Sequence, residues 1–193
     1  MKKEMLAHRV MQLTTAKIVK KLSEMLRPVS AKEDADAAVA LLLKPKDDSL
    51  SVLFVKRVNS PGDPWSGQTA LPGGKREPND KDLKQTVIRE TLEETNINLE
   101  DDCRFLGTTR IEHSTPRTEM RILPFVVFLE HEPTIRLNEN ELERCAWIPL
   151  KELTKHRGTA KFSFGESPAY IIDDHVIWGL TYRIVEEFLH AIG

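Results

Sequence analysis

Apolar residues form short continuous runs in the middle of the chain. The run from Ala37 to Leu43 predicts a buried strand. Ser49 to Lys56 predicts a second strand, and the turn-forming residues 46–48 between them predict a β-hairpin. Met120 to Glu130 is the most strand-like run in the chain. These runs therefore predict the main strands of the fold.

Towards both ends of the chain, apolar residues recur at helical spacing instead. The first pattern ends at Pro28 and consists of Ile18, Val19, Leu22, Met25 and Leu26. This helix either packs on the core or takes part in a dimer interface, and the sequence leaves both open. The last pattern consists of Ile184, Val185, Phe188 and Leu189. Between them, Gly158 to Glu166 is predicted to be a loop. Because the charged residues 30–36 are typical of a linker, we expect an N-terminal helical extension over 1–34 and a second domain over 35–193.

The stretch from Leu71 to Ile97 begins with a glycine turn and continues into a helix. Pro72-Gly73-Gly74 predicts a turn that only glycine makes without strain. A helix is predicted from about Lys81 to Thr95, with Asp80 capping its first turn.

Three carboxylates lie together near the end of this helix. At 100° per residue, Leu83 and Val87 define an apolar stripe. Glu90 and Glu94 continue the stripe, and Glu93 lies at its edge. Neighbouring like charges destabilise a helix by roughly 0.2–0.5 kcal/mol per pair, and carboxylates at this end oppose the helix dipole. Because clustered carboxylate oxygens are the ligands that Mg²⁺ or Mn²⁺ prefers, the pattern favours a divalent-metal site. A solvated acidic helix end is the alternative.

Composition and charge exclude several other classes of protein. A chain of 193 residues with 40% hydrophobic content can bury one good core. The formal net charge of −2 does not favour binding to nucleic acid or to an acidic membrane surface. Cys103 and Cys145 lack a metal-binding spacing and are typical of reduced cysteines. Because no apolar run reaches membrane-spanning length and no signal-peptide core follows residues 1–9, we expect a cytoplasmic protein.

The residues from the glycine turn to the helix end resemble the Nudix box. The family pattern is Gly, five residues, Glu, seven residues, then Arg-Glu-apolar-x-Glu-Glu-x-Gly-apolar. Gly74 and the run Arg89–Ile97 match it with three departures. Asp80 replaces the first Glu and precedes the arginine by eight intervening residues, Thr91 replaces an apolar residue, and Asn96 replaces Gly. The extra residue together with Asp is similar to one branch of the family, the coenzyme A diphosphatases.

The resemblance implies a fold, a cofactor and a set of ligands. The family fold is an α/β/α sandwich with a mixed β-sheet between helices, and the predicted alternation of strands and helices agrees with this α+β class. The implied cofactor is Mg²⁺ or Mn²⁺, and the implied metal ligands are Glu90, Glu93 and Glu94. Glu93 and Glu94 are also expected to act in catalysis. Arg89 is expected to act there by pairing with acidic groups of the box, Asp80 or Glu77.

Other positions are expected to complete the site. Arg57 matches an arginine that lies near substrate phosphate in relatives, and a surface salt bridge is the alternative. Gly73 and Gly74 are expected to place backbone near the metal and the phosphates. Glu141 matches an acidic loop residue and is a candidate general base, with a capping or solvent role equally open.

The resemblance implies a divalent-metal-dependent hydrolase that cleaves the diphosphate of a nucleoside diphosphate linked to another group. Similarity to the coenzyme A branch extends to the run 67–74 and to 177–181, which favours coenzyme A or a derivative as substrate. Val58 and Asp63-Pro64-Trp65 depart from that branch. The alternatives are hydrolysis of a modified nucleoside triphosphate, ADP-ribose or a dinucleoside polyphosphate, or a nucleotide-sensing module without turnover. The expected partner is a small nucleotide, without nucleic acid or membrane, and a homodimer is possible.

Overall fold

The computed structural model describes residues 16–46, 49–101, 103–114 and 119–192. The helices are α1 (16–25), α2 (Leu83–Thr95), α3 (Leu150–Lys155) and α4 (Gly179–Ile192). The strands are β1 (Ala37–Lys46), β2 (Ser49–Arg57), β3 (Thr69–Ala70), β4 (Gly73–Lys75), β5 (Cys103–Thr108), β6 (Glu112–His113), β7 (Arg121–Leu129), β8 (Leu142–Pro149), β9 (Arg157–Phe162), β10 (Gly165–Ile172) and β11 (His175–Trp178).

The main sheet is mixed and contains the strands β1 to β8. Its central order is β3-β2-β1-β7-β5, with β4 paired to β1, β6 to β7 and β8 to β2. β1 and β7 are parallel, and the other pairs are antiparallel. The predicted hairpin of β1 and β2 is confirmed, with Leu43 opposite Val52.

Helices cover the main sheet on both faces. On one face, Leu83 and Val87 of α2 pack against apolar side chains of β1, β2 and β7. On the other face, apolar residues of α1, α3 and α4 form a second cluster with the alternate positions of the same strands. This division follows from the strand period of two, which turns successive side chains to opposite faces. The predicted α/β/α sandwich is therefore confirmed.

Helix α1 packs on the core of the main sheet. Val19, Leu22 and Leu26 are buried there, whereas Met25 is exposed. Full burial of one such side chain contributes roughly 1.5–3 kcal/mol. The packing interpretation of this helix is thus confirmed, while the domain boundary at residue 34 stays a prediction. Within the described ranges, no helix is long and apolar enough to cross a membrane.

The C-terminal strands form a separate three-stranded sheet with the order β11-β10-β9. The loop predicted over 158–166 is wrong, because these residues form most of β9, a tight turn and the start of β10. Phe162 lies opposite Gly165, whose φ of 129° suits the turn. The Phe162 ring packs 4.2 Å from the centroid of Trp178, so a contact distant in sequence stabilises the hairpin.

Candidate active site

The first turn of α2 is capped by Asp82. Its Oδ1 accepts a hydrogen bond from the Gln85 backbone N–H at 2.8 Å. The predicted cap, Asp80, is wrong by two residues. The Asp80 carboxylate is unavailable for capping because it accepts hydrogen bonds from Arg89 and Thr86 farther along the helix.

Asp80 and Arg89 form a closely matched ion pair. The arginine Nε donates to Asp80 Oδ1 at 3.1 Å, and Nη2 donates to Oδ2 at 3.0 Å. The carboxylate also accepts from the Glu77 N–H and the Thr86 hydroxyl, each at 2.9 Å. Asp80 is only 6% exposed, and the hydrogen bond from Arg89 is the main cause that lowers its pKa to about 2. The expected pairing of Arg89 with Asp80 is confirmed. Glu77 is a more distant neighbour, with its Oε1 3.8 Å from Arg89 Nη1.

Arg89 also connects the helix to β4. Its Nη2 donates to the Lys75 carbonyl oxygen at 3.0 Å, and its Nη1 donates to Glu90 Oε1 at 2.9 Å. The same Nη1 reaches Glu93 Oε2 at 3.3 Å. Glu93 is exposed, and its side chain turns toward this guanidinium. The structure therefore places Glu93 beside the arginine on the outer surface, whereas Glu90 and Glu94 line a cavity.

Glu94 is the most deeply buried carboxylate of the box. It is 3% exposed, and its Oε2 accepts a hydrogen bond from the Gly73 N–H at 2.9 Å. Burial is the main cause that raises its pKa to about 8, and the nearby charges of Glu90 and Glu141 act in the same direction. The Gly73 N–H and Arg57 oppose this shift only in part. Burial likewise raises the pKa of Glu90, against the effect of Arg89.

The two glycines of β4 leave room that no other residue would leave. Gly73 has a φ of 139°, and a Cβ built on it would lie 2.3 Å from the Ala38 carbonyl oxygen. A Cβ on Gly74 would lie 2.4 Å from the carboxyl carbon of Glu90. Gly73 is thus required by the backbone, whereas a Cβ on Gly74 would displace the end of the flexible Glu90 side chain.

A loop after β7 is attached to the end of α2 and brings Glu141 to the site. Asn96 caps the helix in the left-handed conformation with a φ of 62°. Beyond this cap, the Arg136 N–H donates to the Thr95 carbonyl at 3.0 Å and the Asn138 N–H to the Glu94 carbonyl at 2.9 Å. Asn138 Nδ2 then donates to Glu141 Oε1 at 2.9 Å. Glu141 is therefore held at the cavity by backbone contacts with the box helix.

Arg57 lines the same cavity at the end of β2. Its Nη2 donates to Asp63 Oδ2 at 3.0 Å, and its Nε donates to the same oxygen at 3.3 Å. Asp63 Oδ1 also accepts from the Trp65 N–H at 3.0 Å. The structure therefore contains the salt bridge that the sequence left open as the alternative for Arg57, and Asp63 as its partner was not predicted. A lone acidic residue in a proline-rich loop gave no signal of its partner across the loop.

The cavity itself has a volume of about 300 Å³ and is lined by both charged and apolar residues. The charged ones are Arg57, Lys75, Glu90, Glu94 and Glu141, and the two glycines line the cavity as well. The apolar lining residues Val39, Met120, Ile122, Leu180 and Ile184 are named here the apolar wall. The sequence did not indicate this wall, because it joins β1, β7 and α4 across long separations in the chain.

A family model for the NUDIX domain matches residues 34–166. The chain belongs to the NUDIX family. The matched range contains the glycine turn, the box helix and the loop that carries Glu141, whereas the lining residues Leu180, Thr181 and Ile184 lie beyond it.

Relatives and solved structures agree with this membership. The chain is 30% identical over 141 residues to the peroxisomal coenzyme A diphosphatase ndx-8 of Caenorhabditis elegans, covering 72% of this chain and 59% of that protein. It is 28% identical over 167 residues to the human mitochondrial coenzyme A diphosphatase NUDT8, and the match covers 82% of this chain and 70% of that protein. The NUDIX domain of Shewanella oneidensis NrtR, complexed with ADP ribose, superimposes with a TM-score of 0.55 at 19% identity over 84% of this chain and 90% of that chain. This last likeness shows the fold alone. The chain spans between 32% and 59% of the length of several of its curated relatives.

Proposed function

We propose that this NUDIX protein is a divalent-metal-dependent hydrolase of a nucleoside diphosphate linked to another group. The observation that carries the proposal is the environment of Glu94. Its buried carboxylate is hydrogen-bonded to the Gly73 N–H and lies near two further carboxylates, Glu90 and Glu141, in the lining of one cavity. Burial and the neighbouring carboxylates disfavour the ionised form of Glu94, and a bound cation would stabilise that form.

The donor set fits the divalent ion that the family uses. Among the described residues, no three acidic, histidine or cysteine side chains already converge as a metal cage. The cavity nevertheless carries more negative than positive charge, because Arg89 is paired with Asp80 and Arg57 with Asp63. Carboxylate oxygens are hard ligands suited to Mg²⁺ or Mn²⁺. We therefore propose the buried Glu94 and the partly buried Glu90 as ligands, with Glu93 completing the set predicted from the box.

The protein groups have separable tasks in the proposed hydrolysis. One water molecule adds to a phosphorus atom, the bridging P–O bond breaks, and two phosphate monoesters result. A bound divalent ion supplies charge neutralisation and acidifies water. Glu141 is the proposed general base, and Arg57 is the proposed donor to a phosphate oxygen. Gly73 and Gly74 let the substrate approach the backbone, and Arg89 positions the box helix against β4.

Coenzyme A or a derivative is the substrate we propose first. Support comes from the box spacing and from two relatives that are named as coenzyme A diphosphatases. Hydrolysis of ADP-ribose is the main alternative, because the similar NrtR domain was solved with that ligand. Modified nucleoside triphosphates and dinucleoside polyphosphates are the remaining alternative substrates. A sensing module without turnover is disfavoured, because Glu90, Glu93 and Glu94 are all present.

A substrate panel tests this proposal. Coenzyme A, ADP-ribose, a dinucleoside polyphosphate and a nucleoside triphosphate are incubated with Mg²⁺ or Mn²⁺, and products are identified by mass. We expect phosphopantetheine and adenosine 3′,5′-bisphosphate from coenzyme A as the fastest reaction. Faster release of AMP from ADP-ribose would favour the alternative, and no cleavage of any compound with either metal would contradict the hydrolase proposal.

Two further sequence predictions remain proposals. A cytoplasmic location is one of them, and the two relatives described above carry peroxisomal and mitochondrial names. A homodimer is the other, and light scattering of the purified chain measures it directly.

A further inference from the structure

The three-stranded sheet of β9, β10 and β11 has one face in the core and one face outside it. Tyr170 lies opposite Ile177, and both are fully buried in the core cluster that contains residues of α4. Because successive side chains of a strand point to opposite faces, the alternate positions of the sheet point outward. The outer face is defined here by its large apolar side chains, Phe162, Phe164, Ile171, Val176 and Trp178.

The large side chains of the outer face are accessible. Phe164 is 67% exposed and Ile171 is 40% exposed, and the core clusters of the described residues include none of the five. The Phe164 ring stacks on Phe162 with the centroids 5.1 Å apart, and it lies 5.4 Å from the centroid of Trp178. The aromatic rings thus form one continuous surface patch, and a contiguous exposed apolar patch is typical of an interaction site.

The charged residues of this sheet lie away from the outer face. In the register of β9, β10 and β11, no charged residue occupies an outward strand position within 157–178, a range that the structure describes throughout. Arg157 lies opposite the buried Tyr170 and pairs with Glu186 of α4 at 3.0 Å. Lys161 pairs with Glu166 at 3.6 Å. The strand positions of the outer face are therefore uncharged.

An uncharged face favours a second copy of the chain over an acidic lipid surface as the partner. In a two-fold dimer the same patch meets itself, so charged residues would face like charges, whereas apolar residues do not repel each other. Binding to acidic lipids depends on clusters of Lys and Arg beside the apolar residues. The outward strand positions of this sheet carry no such cluster, and the formal net charge of the chain is −2.

The size of the outer face predicts the strength of the association. The sheet has three strands, and β9 is 6 residues long. With strands about 4.8 Å apart and a rise of about 3.3 Å per residue, the face measures about 300 Å². A stable interface buries about 800 Å² per partner. Because this face provides less than half of that area, we expect a weak dimer that forms as the protein concentration rises.

We infer that the outer face of the C-terminal sheet binds a second copy of this chain, with the two sheets packed about 10 Å apart. The dimer should cover Phe164 and Ile171, which are exposed in the single chain. The inference goes beyond the proposed function, because the described lining of the candidate active-site cavity includes none of the five residues that define the outer face.

Sedimentation equilibrium of the full chain, from low micromolar to submillimolar concentrations, tests the inference. Wild type should show a reversible equilibrium between monomer and dimer. Phe164→Glu places the same charge on both copies and should weaken the association at least about tenfold. Met25→Glu is the control and should associate like wild type, because Met25 is an exposed residue of α1 and not of this sheet.

Mixing two variants separates a surface effect from misfolding. Phe164→Glu and Phe164→Lys should each associate weakly alone, and an equimolar mixture should recover association because opposite charges then meet across the contact. Circular dichroism of each variant measures whether the sheet is retained. A variant that has lost its sheet would not recover on mixing.

The remaining outcomes contradict the inference. A wild-type chain that stays monomeric at submillimolar concentration would overturn it, as would a dimer that Phe164→Glu leaves intact or a mixture that recovers no association. Flotation of wild type, but not of Phe164→Glu, with lipid vesicles would overturn it in favour of a membrane surface. Because none of these measurements depends on turnover, the hydrolase proposal is tested separately.

Discussion

Asp80 and Glu94 are two buried carboxylates packed around the same helix, and their charges are balanced in different ways. Asp80 is held by the Arg89 guanidinium and two further donors, which lower its pKa to about 2. Glu94 has one backbone donor and lies near two other carboxylates, and burial raises its pKa to about 8. The difference fits our proposals that Asp80 stabilises the box and that Glu94 binds a metal ion. Four substitutions test that contrast.

Replacing Arg89 with Met removes the partner of Asp80. The substitution should lower the free energy of unfolding by about 3–5 kcal/mol, because a buried carboxylate is left without its cation. Denaturant unfolding at pH 7 measures the loss. Arg121→Met is the matched control, since Arg121 pairs with the exposed Asp34 and should lose at most about 1 kcal/mol. Equal losses of unfolding free energy in both variants would show that the buried Arg89–Asp80 pair stabilises the fold no more than an exposed pair does.

Glu94→Gln tests the other side of the comparison. Turnover should fall at least about 100-fold, since a ligand charge is lost where phosphate charge must be neutralised. Stability should be retained, because the amide oxygen can still accept from Gly73. Steady-state kinetics and thermal unfolding measure the two effects, and Glu100→Gln on the exposed surface is the control. Near-normal turnover would remove Glu94 from the reaction.

Asp80→Asn should reveal a pH-dependent loss of stability. The pKa of Asp80 is about 2 in the folded protein and about 3.8 when unfolded, so its ionised form stabilises the fold above pH 4. The variant should be less stable by about 2 kcal/mol at pH 7. This deficit should shrink as the pH falls from 4 to 2, where wild-type Asp80 becomes protonated. Urea unfolding at several pH values checks this, and a deficit that does not change with pH would contradict the assignment.

Gly74→Ala should disturb the site more than the fold. Its Cβ would press on the Glu90 carboxyl group, which is the flexible end of a side chain and can move away. We expect kcat/KM to fall about tenfold, the loss of roughly 1.4 kcal/mol of transition-state binding, with little change in unfolding. Gly158→Ala, where a Cβ meets only an ordinary contact at 3.6 Å, is the control. Unchanged kinetics in Gly74→Ala would show that Glu90 need not occupy its present position.

Local patterns in the sequence were sufficient for the main elements and for part of the box. The apolar runs predicted β1, β2 and β7, and the helical spacing predicted α2 and α4. Arg89 as a partner of Asp80 followed from the resemblance to the family and is confirmed. These features depend on residues close together in the chain or on a fixed motif.

The features that were missed depend on tertiary contacts. Asp80 was the predicted cap, but its carboxylate accepts hydrogen bonds from Arg89, and Asp82 caps the helix instead. The hairpin of β9 and β10 depends on Phe162 packing on Trp178. The apolar wall combines strands and a helix that are far apart in sequence, and no local spacing encodes such a surface.

Binding of a divalent ion by Glu94 and its neighbouring carboxylates can be measured without turnover. Wild type and Glu94→Gln are titrated with Mn²⁺, and the electron paramagnetic resonance signal reports the free Mn²⁺. We expect saturable binding in wild type that Glu94→Gln weakens at least about tenfold. Equal Mn²⁺ affinity in both proteins, or no saturable binding in wild type, would contradict the proposed metal site.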